Sequence, residues 1–175
     1  EQVIEAHLLA NGYGALTSKK YDPEKALFPD TAIRFIQQTQ PKEWERLQKL
    51  HGDNTATQVL SDLTKWLDTY GCLTVLRHGF KCYGRKLHIA TFKAAHGLNA
   101  ELEAAYKANQ VTVTRQLHYR KATQRPKKKA TYSAGKQAKN GIIDLTLSLN
   151  GIPIATIELK NPQTGSTAED AIKQY

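Results

Sequence analysis

Ile142-Ile143-Asp144-Leu145-Thr146-Leu147-Ser148-Leu149, then Asn150-Gly151, then Ile152-Pro153-Ile154-Ala155-Thr156-Ile157-Glu158-Leu159-Lys160 reads as two β-strands around a tight turn. In the first strand Ile143, Leu145, Leu147 and Leu149 alternate with Asp144, Thr146 and Ser148. In the second, Ile157 and Leu159 alternate with Thr156, Glu158 and Lys160. Alternation with period two gives each strand one apolar and one polar face. Register then decides whether the polar faces coincide. An uninterrupted two-residue loop sets Leu149 against Ile152 and turns Asp144 away from Glu158, because a one-residue slip inverts every side chain. A three-residue loop, Leu149-Asn150-Gly151 with Gly151 left-handed, sets Ser148 against Ile152. Asp144 and Glu158 then become diagonal neighbours with β-carbons roughly 7–8 Å apart. The expectation is such a loop, or an equivalent bulge.

Two carboxylates and an amine on a buried hairpin are costly to desolvate unless something compensates. A hard divalent cation does so: Mg²⁺ takes oxygen ligands and keeps several waters, and Mn²⁺ can substitute for it. Asp144 and Glu158 would bind the ion, which would polarise a phosphate and help generate hydroxide. Lys160 would orient that water or stabilise charge developing on the phosphorane. A Glu-x-Lys triplet alone says little; an Asp at matching parity on the preceding strand says more. The competing reading is a solvated polar face with a surface ion pair.

Asp144, Glu158-Leu159-Lys160 and the intervening hairpin resemble the PD-(D/E)xK nuclease motif. The longer text Ile143-Asp144, Asn150-Gly151-Ile152-Pro153 and Ile157-Glu158-Leu159-Lys160-Asn161-Pro162 is similar to the amino-terminal nuclease domain of type I restriction enzyme motor (R) subunits. The similarity extends weakly to Leu76-Arg77-His78-Gly79, Val113-Thr114-Arg115-Gln116 and Ala171-Ile172-Lys173-Gln174-Tyr175. It implies an assisting Gln on the helix after the Lys strand, matched by Gln174. The Tyr that often follows is not matched in spacing, since Tyr175 is adjacent. It also implies a metal-binding early-helix Glu, for which Glu5 is the best match. The implied partners are double-stranded DNA and the methyltransferase and specificity subunits of a restriction-modification complex. ATP would serve only motor domains absent here, because no Gly-x-x-x-x-Gly-Lys-Ser/Thr loop occurs.

At 175 residues the sequence fits one domain with a substantial core. No run of about twenty apolar residues or signal-peptide pattern occurs, which points to a cytoplasmic protein without membrane contact. Cys72 and Cys82 lack metal-like spacing and read as reduced thiols. There is no Met, and the sequence stops within a helical pattern, so a piece of a larger chain is expected.

The net charge of +9 is concentrated. Between Glu103 and Asp144 there is no acidic residue, while Lys107, Arg115, Arg120, Lys121, Arg125, Lys127, Lys128, Lys129, Lys136 and Lys139 are basic. The rest of the chain is close to neutral. All of these except Lys107 are candidate DNA contacts, giving salt-dependent, sequence-independent attraction to phosphates. A solvated basic loop is the alternative.

Upstream the pattern is helical. Val3, Ile4, His7 and Leu8 share a face over residues 2–11. Asp30 is placed to cap a helix with Ile33, Phe35 and Ile36. Pro41 begins another with Trp44, Leu47 and Leu50, and a long helix runs from Asn54 to Gly71. Both tryptophans fall on apolar stripes and read as core. Short strands are expected near 73–77 and 87–92, a helix from Asn99 to about Lys107, a strand near 111–119, and a capping box at Ser166-Thr167-Ala168-Glu169.

The expected fold is α/β: helices on a mixed sheet centred on the 142–160 hairpin, with a helical part over 1–71 and a catalytic sheet over 72–175. By resemblance it is a restriction-endonuclease-like core that stops before its last strand. Three functions stay open: the nuclease of a type I R subunit, another PD-(D/E)xK nuclease such as a repair enzyme or junction resolvase, or a non-catalytic basic nucleic-acid-binding domain.

Overall fold

The computed structural model describes residues 1–96, 99–120 and 141–159. The order is α1 (Gln2–Ala10), β1 (Gly14–Ala15), α2 (Pro29–Thr39), α3 (Pro41–His51), α4 (Thr55–Tyr70), α5 (Cys72–His78), β2 (Phe80–Cys82), β3 (Arg85–Leu87), α6 (Ala100–Lys107), β4 (Val111–His118), β5 (Ile142–Leu149) and β6 (Ile152–Ile157). The fold is α/β, with a mixed four-stranded sheet flanked by helices.

Prolines set the starts of α2 and α3, where a missing N–H and a fixed φ suit the first helical position. In α2 this places the cap at Phe28, not at Asp30, which lies in the first turn. Thr31, Ala32, Phe35 and Ile36 then form the buried stripe of α2, and Val59, Leu60 and Leu63 that of α4. These pack with Leu47, Val75, Leu76, Phe80, Leu87 and Ile89 into the main core, and Trp44 and Trp66 lie against it. Truncating a side chain buried as completely as Leu63 typically costs about 2–5 kcal/mol.

The segment expected as a strand near 73–77 is helix α5. Thr74 and Val75 favour strands by their β-branched side chains, but Gly71 and Gly79, at φ +79° and +72°, stop the chain on either side. The space between them holds two helical turns, which bury Val75 and Leu76. The following strands are β2 and β3, a hairpin over 80–87 and not a strand at 87–92. The helix expected after Asn99 is α6, and the Asn99 side chain accepts the N–H groups of Glu101 and Leu102. Helix α1 has no buried residue, and Val3 and Ile4 on its expected apolar face are exposed. Both cysteines are free thiols; burial, with Asp62 beside it, pushes the Cys82 thiol up to about 12.

The main sheet runs β1-β4-β5-β6, with β1 parallel to β4 and the other pairs antiparallel. Among the described residues β4 and β5 are therefore the inner strands. Among these residues the β5–β6 hairpin has β6 at an edge, and the hairpin is not the centre of the described sheet. The hairpin tip is nonetheless deeply anchored. Asn150 is completely buried; its amide donates to Ile89 O and Asn109 Oδ1, each at 2.9 Å, and its Oδ1 accepts Gln110 N–H at 2.7 Å. Asn109 in turn holds Thr91 through that residue's N–H and carbonyl. At Gly151, with φ +86°, a β-carbon would come within 2.6 Å of Phe28 O, so only glycine lets the turn seat against α2. The capping box at Ser166 lies outside the described residues.

Candidate active site

Asn150 and Gly151, with φ of +49° and +86°, form a two-residue turn, and Leu149 faces Ile152. The three-residue loop is therefore corrected to the shorter one: paired left-handed residues match the twist of the flanking strands. The register changes one step later. Ser148 faces Pro153 but Leu147 faces Ala155, which leaves Ile154 as an extra residue. Pro153 has no N–H for the ladder, and an edge strand tolerates the resulting bulge. Beyond it Thr146 faces Thr156 and Leu145 faces Ile157. Continued by one residue, this register sets Asp144 across from Glu158. Without the bulge Asp144 would fall against Ile157. Asp144 and Glu158 are thus the residues that follow the last ladder pair on the two strands, in matching register and not in the diagonal one the three-residue loop implied.

Asp144 is partly buried and doubly contacted. Its Oδ2 accepts the Leu159 N–H at 2.7 Å, and the Gln116 amide approaches its Oδ1 at 3.4 Å. Gln116 is a residue the sequence did not single out. It lies between the ladder pairs Arg115–Leu145 and Leu117–Ile143, directly opposite Asp144, and adopts φ +50°. The same amide donates to Glu1 Oε1 at 2.6 Å. One residue away, Arg115 Nε lies 2.6 Å from Glu5 Oε2, an ion pair whose N–H is not aligned as a hydrogen bond.

These side chains sort the expected site residues. Asp144 and Glu158 both lie just past the last β5–β6 ladder pair, with Gln116 beside Asp144. Glu5 stands against Arg115, and among the described residues no group of three or more His, Cys, Asp or Glu converges on a common point. Arg115, expected to contact DNA, spends its charge on Glu5, whereas Arg120 is exposed and stacks over the Tyr119 ring at 5.2 Å. Lys160, Gln174, Lys121, Arg125, Lys127, Lys128, Lys129, Lys136 and Lys139 lie outside the described residues.

The donor set suits a hard cation. Two carboxylates offer only oxygen. One or two carboxylates with retained waters is the usual way proteins hold Mg²⁺. No helix among the described residues is long and apolar enough to cross a membrane.

The model of the family described as type I restriction enzyme R protein N terminus (HSDR_N) matches residues 1–175. No curated protein and no solved structure matches the chain.

Proposed function

The chain belongs to the family of type I restriction enzyme R protein N termini, and on that premise we propose that it carries a Mg²⁺-dependent endonuclease of the PD-(D/E)xK kind, cutting double-stranded DNA. The observation that carries this reading is the bulge at Ile154, which brings the ladder to Leu145–Ile157 and so gives Asp144 and Glu158, the next residues, matching register. Asp144 and Glu158 would hold the ion from adjacent strands, with the Leu159 N–H fixing the Asp144 carboxylate on one side. When bound, Mg²⁺ supplies Lewis-acid polarisation of the phosphate and a more acidic water. Lys160, two residues beyond Glu158, would orient the attacking water and meet charge developing on the phosphorane. Gln174 would assist from the segment that follows. The basic residues from Arg120 to Lys139 would draw the DNA backbone towards β5 through counterion release. Methyltransferase and specificity subunits would supply the site choice, and ATP would act on motor domains elsewhere.

The test is made on the intact restriction complex. Asp144→Ala or Lys160→Ala should abolish linearisation of a supercoiled plasmid and leave ATP hydrolysis largely unchanged. Full cutting by either variant would refute the assignment.

A further inference from the structure

Gln116 draws attention because three independent features meet at it. It is a non-glycine residue in the left-handed region, at φ +50°. A long, unbranched side chain gains nothing from that conformation, which Gly adopts freely and Asn or Asp tolerate. The β4–β5 ladder is paired on both sides of it and unpaired at it, and the residue opposite is Asp144. Its amide nitrogen lies between two carboxylates, 2.6 Å from Glu1 Oε1 and 3.4 Å from Asp144 Oδ1. Strained backbone persists where surrounding contacts over-determine it, and such residues gather at functional sites.

We infer that Gln116 is a positioning residue for Asp144: its left-handed backbone aims the amide at the carboxylate, and the amide holds that carboxylate in the orientation in which it meets Glu158 and the metal. The inference rests on the nuclease reading above. The geometry divides the work around Asp144 between two donors. Leu159 N–H holds Oδ2 from the β6 side, and the Gln116 amide approaches Oδ1 from the β4 side. A carboxylate held from both sides has little freedom to rotate away when the cation arrives. The amide also touches both Asp144 and the acidic residue Glu1. It therefore bridges two negative charges by a shared donor. Partners of this kind, acting on a metal ligand and not on the metal, typically contribute 10–100-fold to metal affinity or activity.

Gln116→Gly separates this role from a structural one. Glycine removes the amide and at the same time relieves the left-handed backbone, so folding and function should move in opposite directions. In the intact restriction complex, plasmid cutting by Gln116→Gly should slow about tenfold, and the Mg²⁺ concentration for half-maximal cutting should rise about tenfold. Amide hydrogen exchange along β4 and β5 should be no faster than in the parent. Cutting at the parental rate with the parental Mg²⁺ requirement would overturn the inference. So would a loss of cutting accompanied by lost protection in β4 and β5, since that is the signature of a merely structural residue. Asp144→Ala is run alongside. If it cuts, the nuclease reading fails; if it is inactive while Gln116→Gly cuts normally, only the role of Gln116 fails.

Discussion

Asp144 Oδ2 accepts the main-chain N–H of Leu159 at 2.7 Å, two residues past the last ladder pair of β6. A side chain of β5 thus takes over where the backbone ladder ends, and it fixes the path of the chain on either side of Glu158. The bond is charge-assisted, and such bonds are worth about 1.5–3 kcal/mol when sheltered. The site is partly open to solvent, so the lower end applies. Asp144→Asn retains an oxygen that can accept the N–H, whereas Asp144→Ala does not. The Leu159 amide should therefore exchange with deuterium roughly tenfold faster in Asp144→Ala than in Asp144→Asn, corresponding to ~1.4 kcal/mol. Equal exchange in the two variants would show that the carboxylate does not organise the end of β6.

The hairpin tip offers a stability test away from the chemistry. Asn150→Ala removes the partners of Ile89 O, Asn109 Oδ1 and Gln110 N–H within a buried network. Each stranded buried group costs about 1–3 kcal/mol, and alanine at φ +49° adds strain. We expect destabilisation of about 3–5 kcal/mol, read from the shift in urea midpoint at constant slope. A change below about 1 kcal/mol would mean that water replaces the lost side chain.

The parity constraint on the hairpin could be read from residues alone, for a physical reason. Side-chain parity in a strand is strict, so Asp144 and Glu158 could share a face only through a three-residue loop or a bulge. The bulge is present, at Ile154. Its position was not legible, because Asn150-Gly151 serves both a two-residue and a three-residue turn. Pro153 was the available signal, since a residue without an N–H weakens the ladder beside it. Helix α5 was not legible because the β-branched Thr74 and Val75 favour strands, while the two bracketing glycines impose the boundary. Gln116 stood only at the end of the weakly similar stretch Val113–Gln116: its importance comes from facing Asp144 across β4 and β5, a relation between residues 28 positions apart. The inner position of β4 in the sheet was hidden for the same reason, as β1 joins it from far upstream.

The basic segment should act on DNA without regard to sequence. Replacing Lys127, Lys128 and Lys129 with Gln should weaken binding about equally for all duplexes. Each lost phosphate contact lowers the slope of log affinity against log salt by roughly 0.9, and lysines in one run share phosphates. A total change of about one to two is expected from titrations at several salt concentrations. An unchanged slope would show that DNA approaches by another face.

The central claim is that Asp144 and Glu158 together hold one divalent cation. It is tested most directly by titrating Mn²⁺ into the nucleotide-free R subunit and following bound metal by electron paramagnetic resonance, for the parent, Asp144→Asn and Glu158→Gln. The parent should bind one Mn²⁺ that both variants lose or hold at least about tenfold more weakly, each variant alone producing the effect because the ion needs both carboxylates. If the two variants bound Mn²⁺ with the parent's affinity and stoichiometry, the carboxylates would be a solvated pair and the proposed metal centre would be wrong.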